Sequence, residues 1–579
     1  MKPTEKNRDA LTAAAVFAGF SLLFWLGRAR SFGMGDSPQH VLCALLWAVP
    51  HPPGYPLQTA VGHVWSRLPW SDPGAAINGL SGIFSAAAAA ALYLLLRLCG
   101  VRREAALTGA GLMALSPLFW YYALVAEVRA LNDLLALGGA YFACAWAREG
   151  KPRSLLAFSL LFGLGVSHHP SYVFLIPAYA VWFAARRPPA KLAVGSLALA
   201  AVGLAGPYLL LGFRLSRGVA AYNLFEIGGW ADLWPLFIRE DLGGPLRMTA
   251  GAPALGTLRF DFPRLATHAG WFLSSLWTHA GASATVLSAF GAAALWKTSR
   301  RELGAWVLWL SATAGIFLVF SSQQMPAVDA EYARAVAARY HLLPLIAVFA
   351  LAGFGAQALA ERIRPGFTYA LLSAVFVLPL LLRPLSLAGQ NPLLDYTRAM
   401  VRDSAPGDFI VLGGDDAIFA ALNLELVRDE AGRRVFLCPT MFTLPPYRRH
   451  LQRTYPGVVL PRSLSTDWTL WKKLNPGRAV LAEPSLRDAV LPRFPHSVPQ
   501  GTMIRVESVV VKSDPAADVR RFLDAPETSS FMRLQSREWT QEVYLLQSRK
   551  RMADWLASRL NQKRDVVLLR RLTLLMEQL

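Results

Sequence analysis

The chain has 579 residues, of which 54% are hydrophobic and 17% charged, with a formal net charge of +20. A soluble protein of this length would make about four domains of ordinary polarity, and the long apolar runs of the first 388 residues exclude that. The positive charge would suit nucleic acid, but it is spread between the apolar runs, so it is read as a topology signal and no nucleic acid is expected.

In chain order the runs fall at 11–27, 77–96, 105–122, 131–147, 154–167, 171–185, 192–213, 269–296, 303–321, 341–360 and 367–382. A spanning helix needs about 17–25 residues. Eleven spans are therefore expected, with 154–167 and 171–185 short enough to form a tilted pair or a re-entrant hairpin. Alternate connections carry Lys2, Lys6 and Arg8, then Arg97, Arg102 and Arg103, then Arg148, Lys151 and Arg153, then Arg186, Arg187 and Lys191, then Lys297, Arg300 and Arg301, then Arg362 and Arg364. The other short connections hold only Arg129, Arg334 and Arg339. This asymmetry predicts a cytoplasmic N-terminus and, with eleven spans, an extracytoplasmic C-terminal domain. The first run follows a short basic segment, yet no cleavage site leads into a soluble domain, so it is expected to be retained. Ala- and Arg-rich composition suggests a bacterial inner-membrane protein. The cysteines Cys43, Cys99, Cys144 and Cys438 are scattered and predict neither a disulfide framework nor a metal cluster.

Residues 28–76 form a long first outer loop. Within it Val41–Val49 is almost wholly apolar but too short to cross, and is expected as an interfacial helix stopped by Pro50, Pro52 and Pro53. A second outer segment, 214–267, carries Trp230, Trp234, Arg239, Glu240 and Asp241, which suit the headgroup level. From 389 the pattern changes. Asp408–Leu412 reads as a buried strand, 417–427 as a helix, Arg434–Leu437 as a strand, 478–482 and 503–511 as further strands, and 536–579 as a charged helical tail. The expected fold is a mainly α-helical polytopic domain over 1–388 followed by an α/β domain over 389–579.

Polar residues beside the outer ends of the spans are the candidates for chemistry. Asp36, about nine residues past the first run, is either the cap of the helix that Ser37-Pro38 begins or a partly desolvated carboxylate that takes a proton from a hydroxyl. Glu127, Arg129 and Asn132 sit in a short loop at the same face; the plain alternative is a locally paired Glu–Arg. Ser167-His168-His169-Pro170 marks another outer turn. Neighbouring histidines on one turn rarely ligate one ion and no HExxH partner exists, so phosphate binding or packing is expected there before metal. Arg339-Tyr340 opens the tenth span, where an arginine snorkels or neutralises a lipid phosphate. Asp415-Asp416 after a strand reads as a helix cap. No Walker loop, GxGxxG or GxSxG stands in a supporting context.

Gly35-Asp36-Ser37, followed by His51-Pro52-Pro53-Gly54-Tyr55-Pro56-Leu57 and Asn78-Gly79-Leu80-Ser81, resembles the opening of a multi-pass membrane family that includes a vertebrate transmembrane protein O-mannosyltransferase. Ala126-Glu127-Val128, Leu131-Asn132, His169, Arg339-Tyr340 and Gly413-Gly414-Asp415-Asp416 resemble later blocks, so the likeness runs along most of the chain. It implies a GT-C-like glycosyltransferase: a polyprenyl-phosphate sugar as donor, with mannose one option, and a protein or glycan hydroxyl as acceptor. Asp36 would be the base and transfer would invert the anomeric centre. His51, Tyr55, Glu127, Arg129, Asn132, His168, His169, Arg239, Arg339 and Tyr340 would bind donor or acceptor. One departure matters: where the family often has Asp-Ser-Gly-Glu, Ser37 is followed by Pro38-Gln39. A second carboxylate is missing from this loop, so no cofactor is expected and a divalent metal is not favoured. A polytopic transporter or a glycan- or lipid-flipping protein is the alternative; few ionisable residues inside the spans and no evident pair of broken helices speak against it.

Overall fold

In the computed structural model the described residues are 3–578, apart from 219–221, 224, 241–243, 245–260, 325–329, 364–385, 389–390, 431, 433, 440, 444, 461–472 and 526–541. The run at 367–382, Asp241, Arg364 and the first residues of the tail lie outside them. Among the described residues five helices are long and apolar enough to cross a bilayer: Glu5–Gly27, Pro73–Leu98, Ala190–Leu215, Arg300–Ser322 and Ala330–Ala360. A bent pair makes a sixth if counted as one span. The chain is accordingly an integral membrane protein.

The helices that position the site are α1 (Pro3–Gly27), α2 (Ser37–Leu46), α3 (Pro56–Ser66), α4 (Pro73–Leu98), α5 (Arg103–Leu115), α6 (Pro117–Leu124), α7 (Val128–Glu149) and α8 (Pro152–His168). Their boundaries follow from sequence. Asp72 caps α4 by accepting from Gly74 N–H and Ala75 N–H at 2.9 and 3.1 Å, and Pro73 fits the first turn, where its missing N–H costs nothing. The run at 105–122 is broken: Pro117 disfavours helix at Ser116, and α5 and α6 meet at 61°. The run at 269–296 is also two helices, Phe262–Ser275 and Gly281–Thr298, separated by a π-helical turn over Leu276–Ala280 and by Gly281 at φ +84°. Small residues let the helices approach closely. A Cβ on Gly291 would fall on the Leu351 carbonyl of the helix Leu342–Ala360, and one on Gly355 would fall on Leu287 O.

The C-terminal segment holds a five-stranded sheet in the order β2-β1-β3-β5-β4, formed by Phe409–Val411 (β1), Val435–Leu437 (β2), Val480–Ala482 (β3), Val498–Gln500 (β4) and Met503–Arg505 (β5). β1 pairs with β2 and β3 in parallel, while β5 pairs antiparallel to β3 and β4. The helix Asp415–Leu426 connects β1 to β2. β4 was not expected, because Val498-Pro499-Gln500 lacks an apolar alternation. The core of the sheet is continuous with the first loop. Phe32, Met34, Val41 and Leu42 of the first loop pack in one apolar cluster with Ile410, Phe419 and Leu481. Asn423 donates to Pro38 O at 2.8 Å and Arg428 to Ser31 Oγ at 2.7 Å.

One buried side chain ties the two polar loops together. Asn78 of α4 donates to Ala29 O (2.9 Å) and Ser31 O (3.2 Å) and accepts from Ala126 N–H (2.8 Å). It thereby holds the segment before Asp36 beside the segment that carries Glu127. Replacing Asn78 with Ala strands two carbonyls and an amide in a buried position, each costing about 1–3 kcal/mol. The Asn78→Ala variant is expected to lose on the order of 3 kcal/mol, read as a fall in thermal midpoint in detergent; a midpoint within a degree of wild type would refute the clamp.

Candidate functional site

Asp36 stands at the N-terminal boundary of α2, where a cap would be expected. Among the described residues its carboxylate makes no cap bond to the helix. It turns instead to Arg339, whose Nη1 donates to Oδ2 at 3.0 Å. The plain helix-cap reading is therefore not what the side chain does. Gly35, at φ +73°, makes the turn into Asp36, and Ser37 Oγ accepts from Gly33 N–H at 2.9 Å.

Around this pair the fold gathers residues from distant parts of the chain. His40, one helical turn after Asp36, falls on the same face, and its backbone N–H donates to Asp36 O. Glu127 opens α7 and accepts from Val128 N–H at 3.3 Å, leaving its carboxylate near the other two. One ligand atom each from Asp36, His40 and Glu127 lie within 4.8 Å of one another. The locally paired Glu127–Arg129 alternative is not seen: among the described residues Arg129 instead donates from Nη1 to His169 Nε2 at 3.2 Å and lies 5.0 Å above the Tyr340 ring. Arg339 lies 5.4 Å from the same ring, so Tyr340 separates two guanidinium groups.

The Pro-rich turn supplies the other wall. Tyr55 begins α3 in a left-handed conformation, φ 42°, and its ring meets His40 (5.4 Å), His51 (5.3 Å), His168 (6.1 Å) and His169 (6.1 Å). His51 Nδ1 faces Gln39 Oε1, an amide oxygen that only accepts, so the proton sits on Nδ1 and Nε2 takes the Tyr55 hydroxyl at 3.3 Å. Gln39 thus orients His51, and its amide also donates to Tyr222 OH. The two histidines of the 168–169 turn diverge. His168 Nε2 donates to Val128 O at 2.9 Å, whereas His169 faces Arg129 and Ser171. The charge of Arg239, from the helix end Leu233–Ile238, bears on His51, Tyr55 and His169. Asn132 is buried on α7, one turn beyond Val128.

The structure therefore brings together Asp36, His51, Tyr55, Glu127, Arg129, His168, His169, Arg239, Arg339 and Tyr340. Two further participants were missed. The signal for His40 was its spacing of four from Asp36 at a helix start. Asp416 was expected to cap its helix. Gly414 occupies that boundary instead, and Asp416 lies buried with Gly35 N–H donating to its carboxylate. No local signal announces this contact between residues 381 positions apart.

The electrostatics split the carboxyls. Burial alone would push Asp36 up, but Arg339 foremost, then His51, His40 and Arg129, hold it well below the usual carboxylate range. Burial and the neighbouring Asp36 charge push Glu127 up to about 7, against the pull of Arg339 and Arg129. Burial lowers His40 to about 3 and His51 to about 4, Asp36 opposing in both, and it drives His169 well below its ordinary value, Arg129 adding to the effect. At neutral pH the site thus holds a fixed carboxylate at Asp36, a carboxyl poised to titrate at Glu127, a carboxyl at Asp416 that burial and Asp36 push up, and neutral imidazoles. Among the described residues, buried nitrogens without a hydrogen-bond partner include His40 Nε2 and the Nε atoms of Arg129, Arg239 and Arg339. Buried donors left open suit an anionic ligand with several acceptor oxygens. The set Asp36, His40 and Glu127 has the donor chemistry to take a divalent ion, but Arg339 already pairs with Asp36.

Residues 36–191 match the family described as the protein O-mannosyl-transferase TMEM260 N-terminal domain. The chain is 35% identical over 159 residues to the protein O-mannosyl-transferase TMEM260 of Mus musculus, a match covering 27% of this chain and 22% of that protein. It is 26% identical over 252 residues to the protein O-mannosyl-transferase tmem260 of Dictyostelium discoideum, covering 39% and 30%. The matches thus span less than a third of either relative's own length. Both relatives are eukaryotic and lend no support to a bacterial origin. Among solved structures, the chain is similar to the Archaeoglobus fulgidus oligosaccharyltransferase in complex with Zn and sulfate (TM-score 0.48, 13% identity, 82% of this chain and 69% of that chain). It is also similar to ArnT from Cupriavidus metallidurans bound to undecaprenyl phosphate (TM-score 0.43, 12% identity, 86% and 99%). The segment that matches this family model runs from Asp36 through His169 and beyond, and so contains most of the site.

Proposed function

We propose that the chain is a membrane glycosyltransferase that moves a sugar, mannose first among the options, from a polyprenyl-phosphate donor to an acceptor hydroxyl of protein Ser/Thr or a glycan. The observation that carries this reading is Asp36: its carboxylate stays ionised, faces Arg339 and leaves its helix uncapped, a use of the residue that helix stability does not explain. The names of the relatives over the same segment support the choice of O-mannosyl transfer.

In this reading the acceptor O–H lies against Asp36. Its proton passes to the carboxylate as the oxygen attacks the anomeric carbon from the face opposite the phosphate. The anomeric C–O bond breaks with its electron pair leaving on the lipid phosphate, and the sugar inverts. Arg129 and Arg239, with their open buried donors, hold that phosphate, while the neutral imidazoles and Tyr55 donate to or accept from sugar hydroxyls. Asn132 and Tyr340 line the donor side. No metal is needed, because arginines carry the counter-charge. The site is taken to face the extracytoplasmic side, as the Lys/Arg distribution implies, with the C-terminal sheet presenting the acceptor.

The test is transfer in membranes from polyprenyl-phosphate mannose and other polyprenyl-phosphate sugars, comparing wild type with Asp36→Asn. Full activity in the variant at equal expression would sink the base assignment, and solute flux in vesicles without any sugar consumption would favour transport. Glu127 provides a second readout. It is neutral below about pH 7 and charged above, and the charged form sits beside Asp36 and against the donor phosphate. Donor KM is therefore expected to rise severalfold as pH passes upward through 7, and Glu127→Gln should abolish the rise; an unchanged pH profile in that variant would remove Glu127 from the donor site.

A further inference from the structure

At the end of α4 opposite Asp36 lies a second cluster that the proposed reaction does not use. α4 is 26 residues long, so its two ends are about 39 Å apart. Cys99 follows its last residue, Cys144 comes from the last two turns of α7, and Glu302 from the start of the helix Arg300–Gln324. The residues are 45 and 203 positions from Cys99, which is why scattered cysteines in the sequence announced no cluster. Cys99 Sγ is 3.6 Å from Cys144 Sγ and 3.8 Å from Glu302 Oε2, and one ligand atom from each residue lies within 4.8 Å of the other two.

We infer that Cys99, Cys144 and Glu302 form a binding site for a thiophilic divalent cation of the zinc type, which ties α4, α7 and the helix Arg300–Gln324 together. Three observations support it. First, the spacing fits. A tetrahedral zinc with Zn–S of about 2.3 Å and Zn–O of about 2.0 Å sets its ligands about 3.8 Å (S···S) and about 3.5 Å (S···O) apart, close to the distances seen here. Second, the carboxylate is held in place from behind, as metal-ligating groups are. Glu302 accepts from Trp182 Nε1 at 2.9 Å and from Arg148 Nη2 at 3.0 Å, with Arg301 at 3.7 Å. Third, the charge nearly closes. Binding releases the two thiol protons, and two thiolates plus one carboxylate balance a dication plus Arg148 where Cys144 and Glu302 are buried, while Arg301 is exposed to solvent. Cys99 is half-buried at a helix end, which gives an entry path and room for water as the fourth ligand.

The experiment titrates full-length protein in detergent, stripped of metal, with Zn²⁺ against a chromophoric chelator, and repeats it with Co²⁺ to detect thiolate-to-metal charge transfer. One Zn²⁺ per chain and a cobalt–thiolate band are expected. Cys99→Ser and Cys144→Ser should weaken binding at least 100-fold and remove the band, Glu302→Gln should weaken it about tenfold, and Asp36→Asn should change neither. Loss of zinc in Asp36→Asn with retention in Cys99→Ser would place the ion at the other carboxyl cluster and overturn the inference. So would a wild-type protein that takes up no zinc, or one whose Cys99 and Cys144 peptides are joined by a disulfide in non-reducing mass spectrometry. Zinc should also raise the thermal midpoint of wild type but not of Cys99→Ser, so a folding defect in the variant is told apart from a lost ligand.

Discussion

Asp36→Asn is expected to reduce sugar transfer on the order of 1,000-fold while leaving the protein folded. Asparagine keeps the shape and can still accept from Arg339 at the same oxygen, so the 3.0 Å contact survives as a neutral–charged hydrogen bond. What it removes is the proton acceptor. Because the depressed carboxyl contributes stability at neutral pH and Arg339 loses its counter-charge, a modest fall in thermal midpoint is expected. A loss of turnover far larger than that fall explains, in a protein that remains folded, is the expected signature. A variant with comparable loss of stability and activity would mean that Asp36 is a structural pillar, and transfer within about tenfold of wild type would mean that another group takes the proton.

Arg339→Met is expected to act through Asp36 and to show it in the pH profile. In wild type the guanidinium holds the carboxyl well below its ordinary value, so the ionised form persists through the physiological range. The sign follows from linkage: a depressed carboxyl contributes stability above its unfolded pKa and loses it only as pH falls through the depressed value, far into acid. Without Arg339 the burial term, which raises the pKa, is opposed only by weaker neighbours. Asp36 should then titrate within the measurable range, giving an acid limb in kcat that wild type lacks and a lower activity than wild type at the acid end of the profile. Activity should climb back as pH is raised, and Arg339→Lys, which keeps a charge without the fork, should fall between the two. A uniform loss at every pH would assign Arg339 to substrate binding instead.

Much of the site was legible because its members are polar residues at the ends of apolar runs. Asp36, Glu127, Arg129, His168, His169 and Arg339 all fit that description, and the folded chain draws them into one place. What stayed hidden depends on distance. Asn78 reads as an ordinary polar residue in a helix until its partners, up to 49 residues away, are known. Asp416 reaches Gly35 across the whole membrane domain. His40 was overlooked because the apolar residues after it read as an interfacial helix, whereas Val41, Leu42 and Cys43 are buried against protein. The run at 269–296 looked continuous because a single glycine can break a helix without much change in hydropathy; the π-turn and the positive φ at Gly281 reveal the break. Gln39 was seen as a missing acid, and its structural use, fixing the His51 tautomer, needed coordinates.

The packing of the first loop into the sheet has a consequence for how such proteins diversify. With Phe32, Met34 and Val41 inside the apolar cluster of β1 and β3, the segment bearing Asp36 and the C-terminal half share one interior. A graft that exchanged the C-terminal segment would have to carry the stretch from Ser31 to Val49 along with the sheet, or leave an interior without its partner side chains.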